Sequence, residues 1–333
     1  MPVIRFGIIG TNWITERFIQ AGMESDQFEI GAVYSRTEEQ GRTFASKFDI
    51  PLVFTDLEEM VANDLLDAVY IASPNSLHAQ QAICCMNYGK HVLCEKPISS
   101  NVRELRMMIE TAQTKDVLLM EAMKSTLMPS FTIMKNNLYK IGRVRRYFAS
   151  FCRYSSSYDE LQQGAIPNTF NPTYSSGSLM DLGVYCIYPL VSLFGKPNTI
   201  ESISVLLSSG TDGEGSMVLG YNKMDAIISH SKITDSYLPA EIQGENGTMI
   251  IDRISSPQNV KIHYRDGTIE DLTIPPVHNP MYYEIQEFID LLECGKRKSS
   301  INSFTNSLMV AEIMDEARRQ GGIHYPADMI KKC

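Results

Sequence analysis

The chain has 333 residues, 44% apolar and 21% charged, the balance of a soluble globular protein with room for two domains. A formal net charge of −9 argues against a broad nucleic-acid-binding face. No apolar run approaches the roughly 20 residues a membrane helix needs, and "MPVIRFGIIG" lacks the apolar core and cleavage site of a secretory signal. A cytoplasmic protein with no membrane or nucleic-acid partner is therefore expected.

Seven cysteines are scattered as Cys84, Cys85, Cys94, Cys152, Cys186, Cys294 and Cys333, with no CxxC or Cys/His ligand spacing. The six histidines contain no HExxH. Free thiols in a reducing compartment and no metal site are the expectation.

In chain order, "VIRFGIIG" is a short apolar run ending in glycine. "NWITERFIQAGM" follows, with Trp13, Ile14, Phe18 and Ile19 near helical spacing. "FEIGAVYS" reads as a strand, "TEEQGRTFASKF" as a helix and "DLEEMVAND" as a short helix. "LDAVYIAS" is a strand, and "SLHAQQAICCMNYG" a helix ending at Gly89. "HVLCEKP", "NVRELRMMIETAQTK" and "DVLLMEAM" read as strand, helix and strand. Strands that are apolar on both faces and alternate with helices specify a doubly wound α/β domain over residues 1–122.

Such folds bind ligands at the carboxyl ends of their strands. Those ends here carry Gly7 to Trp13, Ser35-Arg36, Ser73-Pro74-Asn75, Glu95-Lys96-Pro97 and Glu121-Ala122-Met123. A strand that stops on a carboxylate and an ammonium at that edge reads as a site rather than a surface ion pair. The first turn, "GIIGTNWIT", is a degenerate dinucleotide fingerprint. With Gly10 as the first glycine, Asn12 and Thr15 stand at the second and third places. Asn tolerates positive φ, so Asn12 is expected to keep the turn. An ordinary strand–helix turn is the competing reading. After the second strand no acid appears until Glu38. Ser35 and Arg36 stand where an NAD enzyme places the ribose-binding acid, and Arg36 suits a 2′-phosphate. NADP is the expected cofactor, with NAD possible.

Beyond residue 122 the pattern changes. "PSFTIMKNNLYK" is a helix and "RVRRYFASFCRYS" a strand with alternating faces. Residues 155–178 are polar and rich in Gly and Pro, and "SLMDLGVYCIYPLVSLFG" is a helix stopped by Gly195. "TIESISVLLS", "GSMVLGYN", "KMDAIISHSKI", "PAEIQGENGTMIIDR" and "NVKIHYRDGTIEDLTI" are strands. "NG" at 246–247 and "DG" at 266–267 sit at hairpin turns. "PMYYEIQEFIDLLECG" and "NSLMVAEIMDEARRQGG" are closing helices. Residues 123–333 should form an α+β domain on a large open, mostly antiparallel sheet, one face under helices and the other either exposed to solvent or, the favoured reading, an oligomer contact. Asp181 and Tyr185, four apart on the apolar helix, are expected to share one face. For Asp181 the competing reading is a dipole-favoured residue early in the helix; for Tyr185 it is core packing.

"FGIIGTNWI", "AVYSR", "SPNSLH", "CEKPIS" and "GSLMDLGVY" occur in this order over nearly the whole chain. Together they resemble the Gfo/Idh/MocA oxidoreductases, most nearly the branch of dimeric dihydrodiol dehydrogenase and glucose–fructose oxidoreductase. The resemblance implies a Rossmann domain and an open-sheet domain for substrate and oligomer contacts. It implies an NAD(P)-dependent oxidoreductase that moves a hydride between the nicotinamide and a carbinol carbon of a sugar, polyol or diol. Lys96, Tyr185 and Asp181 would be the catalytic residues, and the Lys96-Pro97 bond would be cis. Cofactor contacts would come from Gly7, Gly10, Thr11, Asn12, Trp13, Ile14, Ser35, Arg36, Ser73, Pro74, Asn75, His78, Glu95 and Lys96. A homodimer or higher homo-oligomer is implied. A non-catalytic dinucleotide sensor is the alternative, and a dinucleotide-dependent glycosidase or transferase a third. The chain departs from the branch at Asn12, at Ser175-Ser176-Gly177 in place of three glycines, and at Lys124-Ser125-Thr126, where the branch has Trp and then Arg two residues on.

Overall fold

The structure is a computed structural model and describes residues 3–275 and 277–329; Cys333 lies outside them. The chain divides into two compact units. One is the segment up to Ala122 with His278–Phe304, and the other is Met123–Val277 with the segment from Thr305 onward.

The first unit alternates strand and helix: β1 (Ile4–Ile9), α1 (Trp13–Gly22), β2 (Phe28–Tyr34), α2 (Glu38–Ala45), β3 (Leu52–Phe54), α3 (Leu57–Val61), β4 (Ala68–Ile71), α4 (Asn75–Asn87), β5 (His91–Glu95), α5 (Val102–Thr114) and β6 (Leu119–Ala122). The six strands are parallel in the order β3-β2-β1-β4-β5-β6. The direction of winding reverses between β1 and β4, which opens a crevice at the carboxyl ends of the strands. β3 is an addition to the sequence reading; three residues are too few to show a period. Gly89, at φ 76°, follows α4 in the left-handed conformation that lets a helix stop.

Phe6 of β1 is fully buried. Its ring centroid lies 5.9 Å from Phe18, 5.1 Å from Phe28 and 5.7 Å from Phe288. The last contact explains a correction to the domain boundaries. Residues 123–333 were expected to form one continuous domain, but the helix Tyr282–Glu293 returns to the first unit because Phe288 completes this aromatic core.

The second unit contains α6 (Pro129–Asn137), β7 (Val144–Cys152), α7 (Ser157–Gln162), α8 (Val184–Phe194), β8 (Thr199–Leu206), β9 (Asp212–Gly220), β10 (Asp225–Ser231), β11 (Ala240–Gly244), β12 (Gly247–Ile251), β13 (Val260–Tyr264) and β14 (Ile269–Asp271). With Tyr282–Glu293 as α9, the last helix is α10 (Phe304–Gly321). The sheet order is β14-β13-β12-β11-β7-β10-β9-β8. Every pair is antiparallel except β7 with β10.

Register shows how alternation builds the two faces. Leu219, Ala226, Tyr147, Ile242, Met249 and Ile262 pair in one row across six strands, and all are fully buried in the helix-covered core. One residue along, Val218, Ile227, Phe148, Glu241 and Ile250 point the other way. Val218 is 51% exposed, and Ile203 of neighbouring β8 is 75% exposed.

The polar segment 155–178, to which the sequence reading gave no element, contains α7 and two 3₁₀ turns. The stretch Pro172–Phe194 is long and apolar enough, by length and composition, to cross a membrane, contrary to the sequence reading. It is 72% buried inside the protein, as a core helix is.

Candidate functional site

At the carboxyl edge of the parallel sheet, Gly10 has φ +105°, and a Cβ there would stand 2.6 Å from the Ala72 carbonyl oxygen. Both the backbone conformation and the approach of β1 to the end of β4 require glycine. Gly7 has a different role from the one expected. It is buried inside β1, where a Cβ would meet Leu66 at 3.0 Å, so its small size serves packing.

Asn12 also differs from expectation. Its φ is −100°, not positive. It is the N-cap of α1: its Oδ1 accepts from the Ile14 N–H at 3.0 Å and the Thr15 N–H at 3.3 Å. Its Nδ2 donates to the Ala72 carbonyl at 2.7 Å. Thr11 is half-buried. Trp13 is 66% exposed, with the Arg17 guanidinium 5.9 Å from its ring centroid. Thr11 also lines a cleft of about 260 Å³ together with Glu39, Gln40, Thr43, Phe44 and Lys47.

Ser35 is buried, and its N–H donates to Phe54 at 3.0 Å, so β3 fixes the end of β2. Arg36 is exposed directly after it. An amide cradle of close-approach glycine and helix N-terminus, followed by an exposed guanidinium, fits a dinucleotide pyrophosphate and a 2′-phosphate.

Past β4, Pro74 is the N-cap of α4 and leads into Asn75, while the Ser73 hydroxyl donates to Gln81 at 2.5 Å. His78 was expected to touch cofactor, but it is buried beneath this edge. Its Nε2 lies 2.8 Å from the Ser73 carbonyl and its Nδ1 3.0 Å from the Pro97 carbonyl. It ties two edge loops together. Burial, joined by the Lys96 charge, lowers its pKa to about 4, although both carbonyl contacts favour the second proton.

Glu95 is buried at the end of β5. It accepts from the Tyr70 hydroxyl at 2.7 Å and from the Lys96 N–H at 3.2 Å. Tyr70 in turn stacks on Phe18 at 3.6 Å. The carboxylate thus fixes the strand end, and the half-buried Lys96 follows it with a cis bond to Pro97. The Ile98 N–H donates to Glu121 at 3.1 Å, which holds the next residue of the loop.

In the second unit, the expected regular helix begins instead as a π turn, Leu179–Gly183, that runs into α8. A π turn takes more residues than an α turn, so Asp181 and Tyr185 stand offset rather than stacked at α-helical spacing. The turn is anchored from below. Fully buried Asp212 accepts from the Leu179 N–H at 2.6 Å, and Gly177, at φ +135°, leaves the space its carboxylate needs. His230 Nδ1 lies 2.9 Å from the Ser178 hydroxyl. Burial raises the Asp212 pKa to about 6 and lowers that of His230 to about 3.

Tyr185 is 8% exposed, with the Phe151 ring edge-on at 5.7 Å and the Lys124 ammonium 5.7 Å from its ring centroid. The residue that departs from the branch pattern at 124 therefore lies against the expected proton carrier. Asp181 is paired with Lys232, which follows β10. Lys232, Asp212 and His230 were missed by sequence reasoning, and Lys124 was noted only as a departure from the branch pattern. Each lies far along the chain from "GSLMDLGVY", and no spacing rule connects them to it.

Comparison with known proteins gives two family matches. Residues 4–123 match a model described as an oxidoreductase family with an NAD-binding Rossmann fold, and residues 139–250 match a GFO/IDH/MocA C-terminal domain. The chain is 53% identical to scyllo-inositol 2-dehydrogenase (NADP(+)) IolU of Bacillus subtilis (strain 168), over 98% of this chain and 99% of the relative. It is 29% identical to trans-1,2-dihydrobenzene-1,2-diol dehydrogenase of Mus musculus, over 98% and 99%. Its fold matches the 3-ketoreductase KijD10 of Actinomadura kijaniata, solved with NADP and TDP-benzene. The TM-score is 0.85 and the identity 23%, over 96% of this chain and 98% of that one.

Proposed function

This chain belongs to the Gfo/Idh/MocA oxidoreductase family, and we propose that it is an NADP-dependent dehydrogenase acting on a ring CH–OH of a cyclic polyol of the inositol type. The observation that carries this reading is the 53% identity, end to end, with a scyllo-inositol 2-dehydrogenase named for NADP(+). The exposed Arg36 after β2, with no acid at residues 34–37, supports the choice of NADP over NAD.

Gly10, Thr11, Asn12 and Trp13 would receive the pyrophosphate side of the cofactor, Ser35 and Arg36 the 2′-phosphate, and Ser73, Pro74 and Asn75 the ribose and nicotinamide side. The bound nicotinamide supplies hydride acceptance or donation. The chain's own residues handle the proton and the position of the substrate. Tyr185 takes the carbinol proton through its hydroxyl, or returns it in the reverse direction. Lys96 polarises the same oxygen with its ammonium. Asp181 accepts a hydrogen bond from a neighbouring ring hydroxyl, which fixes the carbon that reacts.

The assembly in this reading is a homodimer or higher homo-oligomer formed through the open face of the eight-stranded sheet, supported by the exposed apolar Ile203 and Val218. The cytoplasm is the proposed compartment; the unpaired thiols of Cys84, Cys85, Cys94, Cys152, Cys186 and Cys294 support it.

The test is the appearance of reduced-nicotinamide absorbance when the protein and NADP⁺ meet a panel of inositols, sugars and diols. Turnover on an inositol is the expected result. Tight dinucleotide binding with no turnover on any member would favour the sensor reading instead.

A further inference from the structure

The Asp181 side chain is 42% exposed, and the cation that meets it comes from a part of the chain outside "GSLMDLGVY". Lys232 lies just past β10. Its side chain is only 10% exposed, and its ammonium pairs with Asp181 Oδ2. The backbone of Lys232 is held on both sides. Its N–H donates to Gly213 at 2.8 Å, and its carbonyl accepts from the Ser155 N–H at 2.9 Å. The preceding Ser231 hydroxyl accepts from the Ile233 N–H at 3.1 Å and the Thr234 N–H at 2.9 Å, which closes a tight turn around the lysine. A lysine buried to this degree and fixed at its root has few rotamers left. Burying an ammonium is costly unless a carboxylate meets it. Its charge also acts on Asp212, the buried acid that anchors the start of the π turn. Lys232 therefore faces two acids: Asp181 above, open to solvent, and Asp212 beneath the same turn.

We propose that Lys232 is a positioning residue of the dehydrogenase: it holds Asp181 ionised and in one orientation, so that the carboxylate accepts from a substrate hydroxyl instead of donating to it. This inference rests on the reading of Asp181 as a substrate ligand. A protonated Asp181 would carry an O–H and would compete with the substrate as a donor. A mobile carboxylate would no longer select which ring carbon reacts. The titratable and charged groups on the elements packed here are Asp212 and Glu214 of β9, His230 of β10, Asp235 beyond it, Tyr185 of α8, Lys124 of the 3₁₀ turn Lys124–Thr126 and Tyr325 near Asp212; Glu214 Oε2 accepts from the Ser231 and Thr234 hydroxyls at 3.3 and 3.4 Å. Of these, His230 stays neutral down to about pH 3 and so contributes no charge above that pH.

The test uses the full-length protein with NADP⁺ and the best polyol from the substrate panel. Lys232→Met, Lys232→Arg, Asp181→Asn and the double variant Lys232→Met/Asp181→Asn are compared across a pH series. Lys232→Met is expected to raise KM for the polyol by roughly tenfold or more, with a smaller effect on kcat. It is also expected to move the acidic limb of kcat/KM up by about 1 pH unit, the scale for losing an adjacent opposite charge. Lys232→Arg keeps the charge and should keep the limb near its parent position. The double variant should be no worse than Asp181→Asn alone, because Lys232 acts through that acid.

An unmoved limb in Lys232→Met, with Asp181→Asn strongly impaired, would overturn the role of Lys232 and leave the dehydrogenase reading intact. Near-parent activity in Asp181→Asn would remove Asp181 as a substrate ligand, and the inference with it. If Lys232→Met does not fold, Lys232→Arg decides: an acidic limb displaced despite the retained charge contradicts the proposal, and an undisplaced one supports it.

Discussion

Asn12 joins the first turn to the neighbouring strand: its Nδ2 donates to the Ala72 carbonyl at 2.7 Å, while its Oδ1 caps the amides of Ile14 and Thr15. One side chain thus does two jobs at the place where the fingerprint would have glycine. Asn12→Ala removes both bonds and should cost about 1–2 kcal/mol of stability, the scale of a lost helix cap. It should also weaken NADPH, because the turn loses its tie to β4. Asn12→Gly restores the fingerprint glycine yet loses the same tie to Ala72, so it should not bind better than the parent. Thermal melting and NADPH fluorescence titration check both variants. An Asn12→Gly variant that binds NADPH more tightly would contradict the structural role given to this side chain.

Arg36 follows a buried Ser35 and is exposed at the end of β2, where the proposed reading puts the 2′-phosphate of NADP. NADPH should therefore bind more tightly than NADH. Arg36→Ala should weaken NADPH by about 1.5–3 kcal/mol, the scale of a charge-assisted hydrogen bond, and leave NADH little changed. Parallel titrations of the two cofactors measure the difference. Equal affinities in the parent would assign Arg36 to the surface.

Three buried or half-buried histidines contribute to the loss of stability in acid. Burial lowers His78 and His91 to about 4 and His230 to about 3. All three are neutral when folded, and the unfolded chain takes up their protons near pH 6.5. Stability from this source is complete above pH 6.5 and is lost as pH falls towards 4 and 3. For the two rings buried completely, the loss is on the order of 3–5 kcal/mol each. Asp212 acts in the opposite sense. Its pKa is raised to about 6, so its contribution is present at low pH and is lost as pH rises from about 4 through 6. Denaturant melts from pH 7 down to pH 4 should show net proton uptake on unfolding, less steep than three histidines alone would give. His230→Asn, which stays uncharged, should reduce the slope. Stability that is flat across this range would contradict the burial of these rings.

Ile203, Val218, Ile227 and Phe148 lie on the face of the large sheet opposite its helices. Light scattering should give the mass of at least two chains, and Ile203→Lys with Val218→Glu should shift the protein towards one. A parent that is monomeric at micromolar concentration would leave this face without a partner copy.

Much of the fold was legible because its signals are local. The two-faced apolar strands, the glycine after α4 and the hairpin turns at Asn246 and Gly267 each report themselves within a few residues. β3 and α7 were too short to show a period. The π turn escaped because its sequence reads as an ordinary apolar helix, and its cause, the anchoring of Leu179 by Asp212, lies 33 positions away in the chain. The candidate site divides in the same way. Lys96, Asp181 and Tyr185 sit inside compact motifs and could be named. Lys232, Lys124, Asp212 and His230 are brought to the turn by strand pairing and by the 3₁₀ segment. Gly7 and His78 were placed among the cofactor contacts by the resemblance; the structure shows Gly7 packed against Leu66 and His78 tying two edge loops together.

We propose that Lys96 and Tyr185 act together in moving the carbinol proton. The most direct test is single-turnover and steady-state rate measurement of Tyr185→Phe, with Lys96→Met and the double variant beside it, on the best polyol with NADP⁺. Tyr185→Phe keeps the ring against Phe151 and removes only the hydroxyl. It should lower turnover by roughly 10²–10⁴ with little change in NADPH affinity, the span of a positioned acid or base. Lys96→Met should be at least as damaging, and the double variant little worse than either single one, because groups that act as a unit lose their effect together. Near-parent turnover in Tyr185→Phe would make Tyr185 a packing residue and contradict this mechanism.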